Sequence, residues 1–409
     1  MTTPDALTLD IEGLAYGGDA FGRAEDGRMV FVPFAAPGER VRCTLVEDHA
    51  RWAKGELVDI ITPHPERIEP ACPHFGNCGG CHYQFLPYTL QVEAKQDIVR
   101  SQLLRIGKIQ DPPLQAMIPS PRTWNMRNHI QFHQRPDGTL GFHRAGSSEI
   151  MPINTCLLPL EPIRELWTRV ELDPMEGVER IGFRCDSMAN NLVILHGNRS
   201  ADVEMSMDAD ASVAWISPYG TQILGGEAHL QYHVLDQPFL VSPSSFFQVN
   251  SSLLERMVNE VMGFLKPQAG ETVLDLYAGV GLFSVFAASN GAAVIAVESG
   301  LSSCNDFALN LEPFDDIELY QAQVEEVVPY LDRSFDAVIV DPPRAGLARE
   351  VRDALIENRP KRLVYVSCDT ATFARDARRL IDGGFTCTSI QPIDLFPQTY
   401  HIELISYWE

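Results

Sequence analysis

The sequence predicts an α/β protein: a doubly wound, mainly parallel sheet in the C-terminal part, preceded by a small β-barrel and a central α+β region. From about residue 245, apolar strand-like segments alternate with helical ones, which is the pattern of a parallel sheet with crossover helices. Residues 1–61 contain only short strand-like stretches between turns. A chain of 409 residues, 45% of them hydrophobic, is long enough for two or three domains with packed cores.

The N-terminal stretches end at turn-forming dipeptides such as Gly17-Gly18, Asp26-Gly27 and Pro37-Gly38. Short strands at such close spacing favour a five-stranded barrel of the OB type. Three prolines between residues 63 and 70 indicate a boundary, so the first domain is expected to cover residues 1–61.

The central region, residues 62–235, contains a cluster of cysteines. Cys72, Cys78 and Cys81 lie within ten residues, and Cys156 follows far downstream. The chain has nine cysteines, an odd number, and residues 1–10 lack the pattern of a secretory signal, so a disulfide framework is not expected. Four thiolates suit either a [4Fe–4S] cluster or tetrahedral Zn²⁺, and the three-plus-one spacing favours the cluster.

A helix is expected near residues 88–108, packed on the C-terminal domain, and a strand at 127–133. The C-terminal domain, residues 236–409, has the clearest pattern. The expected helices are 251–265, 282–289 and 302–311, and the expected strands are 272–276, 293–297, 337–340 and 363–366.

A glycine loop follows the first strand of this domain. Gly279 and Gly281 allow a sharp turn and a close ligand approach, and Glu298 at the next strand end can accept hydrogen bonds from ribose hydroxyls. A dinucleotide site would have a third glycine where Ser284 stands. Because Asp275 just before the loop suits a cationic amino acid group better than a pyrophosphate, the pattern favours S-adenosylmethionine.

Two later strands also end in reactive residues. Asp341, followed by two prolines and Arg344, ends one buried strand. Methyltransferases that act on amino nitrogens usually have an aromatic residue in place of Arg344, which disfavours N-methylation. Cys368 ends the next strand, where a thiolate could add to C6 of uracil and make C5 nucleophilic. A lone cysteine is otherwise most often a small buried hydrophobe.

The formal net charge of −23 argues against a polyanionic partner, yet residues 61–145 carry nine Lys and Arg against six Asp and Glu. This distribution is compatible either with a local basic face on an acidic protein or with ordinary solvated surface charges. No apolar run is long enough to span a membrane, and we expect a cytoplasmic monomer.

Taken together, these motifs resemble the RNA uridine-C5 methyltransferase family, in particular its bacterial 23S rRNA branch with a TRAM domain and an iron–sulfur cluster. The resemblance covers nearly the whole chain. The matching segments are Ser245-Phe-Phe-Gln-Val-Asn250, residues 275–283, Asp341-Pro-Pro-Arg-Ala-Gly346, Ser367-Cys368 and His401-Ile-Glu403.

The resemblance implies a Rossmann-like class I methyltransferase domain with Cys368 as the nucleophile, Glu403 as the base and Asp341 between cofactor and uracil. It places further residues at cofactor-contacting positions, together with Asp275 and Gly279: Gln248, Tyr277, Leu282, Glu298 and Gln323. It makes Cys72, Cys78, Cys81 and Cys156 the ligands of an iron–sulfur cluster. The family has Asn-Pro-x-Thr after the cysteine where this chain has Asp369-Thr-Ala-Thr372, so we expect a different local turn there.

The expected substrate is RNA, with ribosomal RNA favoured over tRNA. Phe246, Arg127 and Arg344 are the candidate RNA contacts, and Phe246 is equally compatible with a buried core position. The alternatives are a tRNA uridine-C5 methyltransferase, an N-methyltransferase of a base or protein amine, and a non-catalytic RNA-binding protein.

Overall fold

A computed structural model of the chain describes residues 6–170, 175, 177–198 and 210–409. Residues 1–5, part of the stretch considered for a secretory signal, lie outside the described residues. Within the described residues, none of the helices combines the length and apolarity needed to cross a bilayer. The chain forms two compact units: Met1–Ser101 with Phe142–Met151 and Phe396–His401, and Gln102–Gly141 with Pro152–Leu395 and Ile402–Glu409.

A closed five-stranded barrel forms the N-terminal part of the first unit. Its strands are β1 Leu7–Leu14, β2 Ala20–Arg23, β3 Met29–Val32, β4 Arg40–Asp48 and β5 Trp52–Thr62, in the order β1-β2-β3-β5-β4. Alternate residues such as Leu9, Val30 and Val41 point into its core and are buried. The prediction of an OB-like barrel is confirmed, although the short strand β2 was not among the predicted stretches.

Helix α1, Tyr88–Arg105, begins just after Pro87. Its buried Gln91 donates from Nε2 to the carbonyls of Tyr83 (3.1 Å) and Leu86 (3.0 Å), and so binds the chain that enters the helix. The buried Lys95 donates from Nζ to the carbonyl of Phe396 at 3.0 Å. Polar side chains on the inner face of α1 therefore hold loop backbone within the first unit.

A seven-stranded sheet has the order β12-β11-β10-β9-β6-β7-β8. These strands are β6 His129–Gln134, β7 Leu140–His143, β8 Ile150–Pro152, β9 Val178–Cys185, β10 Asn191–Gly197, β11 Ala211–Ser217 and β12 Gly220–Gly225. Helix α2, Glu161–Arg169, buries Trp167 against Phe132, with ring centroids 4.5 Å apart. A hairpin of β13 Leu230–Val234 and β14 Gln237–Val241 leads into the C-terminal domain.

The third sheet carries the predicted alternation of strands and helices. Its strands are β15 Thr272–Leu276, β16 Ala293–Glu298, β17 Ile317–Gln321, β18 Ala337–Val340, β19 Arg362–Ser367, β20 Cys387–Ile393 and β21 Glu403–Trp408. The helices are α3 Ser251–Leu265, α4 Leu282–Ser289, α5 Leu301–Leu311, α6 Val324–Val327, α7 Arg349–Asn358 and α8 Thr370–Asp382, with a 3₁₀ turn at Val328–Tyr330.

The strand order is β17-β16-β15-β18-β19-β21-β20, and the first five strands are parallel. The order reverses between β15 and β18, and ligands of doubly wound sheets bind at such a switch point. The last strand, β21, lies antiparallel between β19 and β20. The α/β fold class predicted for the C-terminal domain is confirmed.

Candidate functional site

The glycine loop joins β15 to α4 at the switch point of the sheet. Gly279 (φ 57°) and Gly281 (φ 87°) both adopt left-handed backbone conformations. A Cβ atom on Gly281 would lie 2.5 Å from Leu311 Cδ1, whereas a Cβ on Gly279 would have no atom within 4 Å. Gly281 therefore permits close packing of the loop, and Gly279 faces open space that a ligand can occupy.

Two carboxylates flank this loop. Asp275 is buried, its Oδ2 accepts a hydrogen bond from Ser284 Oγ (2.6 Å), and within the described residues its Oδ1 has no hydrogen-bond partner. Burial, with a smaller contribution from the charge of Glu298, raises the pKa of Asp275 to about 7, and the hydrogen bond from Ser284 opposes the shift. Glu298 accepts from the amides of Gly279 (3.0 Å) and Gly300 (2.6 Å).

The positions expected to contact a cofactor lie around the same edge. Gln321, the last residue of β17, pairs with Glu298 at the end of β16. Gln323 is exposed and precedes α6, so it follows the strand end that lies beside Glu298. Tyr277 donates from Oη to Glu325 Oε1 at 3.3 Å. Leu282 is the first residue of α4 and is 8% exposed, which suits a packing role.

The candidate catalytic residues meet through strand register. Asp341 follows β18, and its amide donates to the carbonyl of Leu276 at 3.2 Å. Ser367 at the end of β19 pairs with Leu404 of the antiparallel strand β21. One residue further along, Cys368 therefore stands beside Glu403, at the edge of the sheet where Asp341 also lies.

This cluster has an excess of negative charge. Burial, then the charges of Glu403 and Asp341, raise the pKa of Cys368 to about 11, while Arg344 acts in the opposite direction. Burial and Asp341 raise the pKa of Glu403 well above its ordinary value, and Arg344 again opposes the shift. Burial and Asp275 raise the pKa of Asp341 to about 7. The site thus pairs a thiol with a buried carboxyl group and favours a positively charged ligand.

The turn after Cys368 leads directly into α8. Asp369 precedes the helix and accepts hydrogen bonds from the amides of Ala371 (3.1 Å) and Thr372 (2.9 Å). A side-chain cap at Asp369 therefore starts α8.

The segment of residues 245–250 precedes α3 and contacts the residue just before β6. Gln248 is 9% exposed, and its carbonyl accepts from Asn128 Nδ2 at 3.0 Å. Arg127 forms a backbone bridge with Asn250. Phe246 is 66% exposed, so the alternative of a buried core position is excluded.

Sequence reasoning missed several polar residues that hold the site loops. Asp376 of α8 is fully buried and accepts from the amide of Leu347 (2.9 Å) and from Tyr365 Oη (3.0 Å). Asn310 of α5 donates from Nδ2 to the carbonyl of Val280 at 2.9 Å. The sequence contains one signal that could have identified Asp376 and Asn310, since each is a polar residue on a helix face that is largely apolar.

The four candidate metal-binding cysteines are all half-buried. Cys72, Cys78 and Cys81 belong to the first unit, and Cys156 belongs to the second. Burial, and then the nearby Cys72, raise the pKa of Cys78, whose sulfur accepts from the amide of Gly80 at 3.4 Å. Across the described ranges, no three His, Cys, Asp or Glu side chains are arranged as a metal site.

Comparisons with known proteins identify two regions of the chain. Residues 231–407 match the tRNA (Uracil-5-)-methyltransferase family, and residues 5–58 match the TRAM domain. An RNA methyltransferase of Aquifex aeolicus, itself uncharacterised, is 32% identical over 98% of each chain. A 23S rRNA (uracil(1939)-C(5))-methyltransferase, RlmD of Cronobacter sakazakii, is 29% identical over 100% of this chain and 97% of its own.

Among solved structures, the tRNA (uracil-54, C5)-methyltransferase of Pyrococcus abyssi in complex with S-adenosyl-L-homocysteine is similar throughout. The TM-score is 0.76 at 25% identity, and the match covers 98% of this chain and 99% of that one. The predicted family, fold class and enzyme class are thereby confirmed. The chain belongs to the S-adenosylmethionine-dependent RNA uracil-C5 methyltransferase family and carries an N-terminal TRAM domain.

Proposed function

We propose that this enzyme methylates C5 of a specific uridine in 23S ribosomal RNA through a covalent bond between Cys368 and C6 of the uracil. The observation that carries the proposal is the β19–β21 register, which sets Cys368 beside the buried Glu403 at the end of the sheet where Asp341 lies. This arrangement supplies a nucleophile and a proton acceptor on adjacent strands.

The loop residues fit S-adenosylmethionine, which supplies an electrophilic methyl group when bound. The unpartnered Oδ1 of Asp275 can accept a hydrogen bond from a cationic ammonium group. Glu298, held by two backbone amides, is placed to accept from ribose hydroxyls. The open space at Gly279 lets the ligand approach the backbone. We assign Gln248, Tyr277, Leu282 and Gln323 to the same binding site.

The proposed reaction begins when the Cys368 thiol releases its proton to solvent and its Sγ bonds to C6, so that the electron pair of the C5–C6 double bond moves into the C4 carbonyl. As the carbonyl re-forms, this pair bonds C5 to the methyl group, whose bond to the sulfonium sulfur breaks and leaves S-adenosylhomocysteine. Glu403 removes the C5 proton, the double bond re-forms, and the Sγ–C6 bond breaks so that the thiolate leaves. Asp341 lies between the cofactor and the base in this scheme.

Covalent trapping tests this chemistry. The enzyme is incubated with S-adenosylmethionine and RNA that contains 5-fluorouridine, from which the C5 substituent cannot leave as a cation. The expected product is a denaturation-resistant adduct that maps to Cys368 by mass spectrometry. Cys387→Ala is the matched control, since Cys387 is also half-buried but begins β20 away from the site edge, and it should still form the adduct.

The absence of an adduct with folded enzyme, together with methylation by Cys368→Ala, would instead favour N-methylation. Binding of RNA without turnover in any variant would favour a non-catalytic protein. The choice of RNA is tested separately by comparing methylation of a 23S rRNA fragment and of tRNA transcripts. Incorporation only into tRNA would overturn the ribosomal assignment and leave the chemistry intact.

We further propose that Cys72, Cys78, Cys81 and Cys156 hold a [4Fe–4S] cluster. Four half-buried thiol side chains with three-plus-one spacing are a suitable donor set, and the amide of Gly80 donates to the Cys78 sulfur as amides do around cluster sulfurs. Anaerobically purified protein should contain iron and sulfide and absorb visible light. Colourless protein with stoichiometric zinc would reverse the assignment.

The division into residues 1–61, 62–235 and 236–409 is retained as a proposal, supported by the closed barrel β1–β5 and by the family match that begins at residue 231. We assign Phe246, Arg127 and Arg344 to RNA contact. The 66% exposure of Phe246 supports stacking on an unpaired base.

A further inference from the structure

The segment Ser242–Phe246 follows β14 and carries the exposed ring of Phe246. We propose that two buried charged residues, Arg184 and Asp306, act as positioning residues that fix this segment and so hold Phe246 ready for RNA. This inference rests on the proposed function, because it takes Phe246 as an RNA contact.

Asp306 of α5 holds one side of the segment. It is fully buried, and its two carboxylate oxygens accept from the Ser242 amide (2.8 Å) and from Ser242 Oγ (2.6 Å). The imidazole of His229 adds a contact, with Nε2 3.6 Å from Asp306 Oδ1. One carboxylate therefore fixes both polar donors of the residue at which the segment begins.

Arg184 of β9 binds the carbonyl groups of the same segment. It is 5% exposed, and its Nη1 donates to the carbonyls of Ser242 (3.2 Å) and Ser245 (3.0 Å). The Ser245 amide donates to the Ser242 carbonyl (3.1 Å), so this guanidinium closes a backbone turn. Ser245 Oγ lies 2.8 Å from Ser302 Oγ, which ties the turn to the start of α5.

Phe246 stands between two anchored neighbours. Before it, Ser245 is bound as described, and after it Phe247 is 5% exposed and packs on Tyr232 with ring centroids 4.6 Å apart. The segment thus presents the Phe246 ring to solvent, beside the small exposed Ser244, while its backbone is fixed. A fixed aromatic ring loses little conformational entropy when a base stacks on it, which increases affinity.

The charges themselves indicate a function beyond packing. Burying a guanidinium and a carboxylate is costly, and neutral residues could fill the same volume at lower cost. A protein tolerates such a cost where a site must be held in one geometry. Arg184 lies on strand β9, and Asp306 lies on helix α5 of the C-terminal domain. Both side chains bind the segment that presents Phe246.

A double-mutant cycle between Arg184→Met and Phe246→Ala tests the proposal. Arg184→Met should raise the KM for RNA about tenfold and change kcat and the KM for S-adenosylmethionine less than twofold. In the Phe246→Ala background, the same substitution should add almost nothing, because the ring it positions is absent. Asp306→Asn, which keeps the side-chain shape, should show the same pattern with a smaller effect.

Arg180→Met is the matched control, since Arg180 is exposed on the same strand and bonds to Gln131 instead, and it should leave the KM for RNA unchanged. Additive effects of Arg184→Met and Phe246→Ala, or an unchanged KM for RNA in both Arg184→Met and Asp306→Asn, would overturn the proposal. If Phe246→Ala alone leaves RNA binding intact, the failure lies with the proposed RNA contact instead.

Discussion

At the scale of single residues, the surroundings of the candidate nucleophile, Cys368, oppose its ionisation. Glu403 and Asp341 raise the pKa of Cys368 and Arg344 lowers it, so the same thiol experiences competing charges. A thiolate is required for addition to uracil, which makes the balance between these charges a determinant of rate.

We expect the two kinds of neighbour to shift the reactivity of Cys368 in opposite directions. Glu403→Gln removes a negative charge and should lower the pH at which Cys368 is half-alkylated, whereas Arg344→Gln should raise it. The measurement is the rate of iodoacetamide labelling against pH, followed on the Cys368 peptide by mass spectrometry. Shifts in the same direction for both variants would contradict this electrostatic account.

The buried Asp275 gives a second prediction at this scale. Its pKa is about 7 in the folded protein against an ordinary 3.8, so between these pH values the folded state keeps a proton that the unfolded state has released. The free energy of unfolding without ligand should therefore fall as pH rises from 4 to 7, and level off above.

Asp275→Asn should show a weaker decline over the same range, measured by urea unfolding at each pH. A slope identical to that of the natural sequence would mean that Asp275 is ionised throughout. The buried Asp341, whose pKa is also raised to about 7, accounts for the slope that remains in Asp275→Asn.

At the scale of secondary-structure elements, the glycine loop contains two glycines with different reasons to be there. Gly281→Ala should lower the free energy of unfolding by about 1–3 kcal/mol, because its Cβ would overlap Leu311 at a left-handed backbone position. Gly279→Ala meets no neighbouring atom, so it should lose only about 1 kcal/mol, from its left-handed backbone, and should in addition weaken S-adenosylmethionine binding. Thermal unfolding and calorimetric titration of both variants separate the two effects.

How far the sequence predicts an element depends on how local its cause is. Helices α3 and α4 were predicted to the residue because their signals are local: amphipathic spacing and Pro267 for α3, and an apolar run directly after the glycine loop for α4. Strand β9 was not predicted, since its last five residues are all buried and show no alternation. Strand β12 is mostly exposed and lacks an apolar pattern altogether.

The candidate site also contains residues that the local sequence identifies and relationships that depend on distant parts of the chain. The sequence order identified Cys368 and Glu403 separately, but only the antiparallel insertion of β21 beside β19 explains why they are neighbours. Arg184, Asp306 and Asp376 escaped notice because their hydrogen-bond partners are distant in sequence. A polar residue on an apolar helix face can draw attention to Asp306 or Asp376, but it does not identify the partner.

At the scale of the whole molecule, the net charge of −23 affects the rate at which RNA, itself negatively charged, associates with the protein. Two polyanions repel over a distance that shrinks from roughly 20 Å at 20 mM salt to about 8 Å at 150 mM. We therefore expect the association rate with RNA to rise over this range, the reverse of the usual trend for nucleic-acid-binding proteins.

Stopped-flow measurement of RNA binding at increasing salt concentrations checks whether the association rate rises. The double variant Glu255→Lys with Glu357→Lys alters two exposed carboxylates on α3 and α7, and should reduce the acceleration. A rate that falls steadily with salt would show that local basic groups outweigh the net charge of the chain.

The residues at the end of the inner strand β21 determine how proteolysis would affect the enzyme. Glu409 exchanges backbone hydrogen bonds with Thr386 (2.7 and 3.0 Å), and Trp408 is fully buried. Proteolytic loss of these residues would loosen the strand whose first residue is Glu403. A preparation cleaved there could keep its barrel and its glycine loop and yet no longer hold in place the proposed proton acceptor.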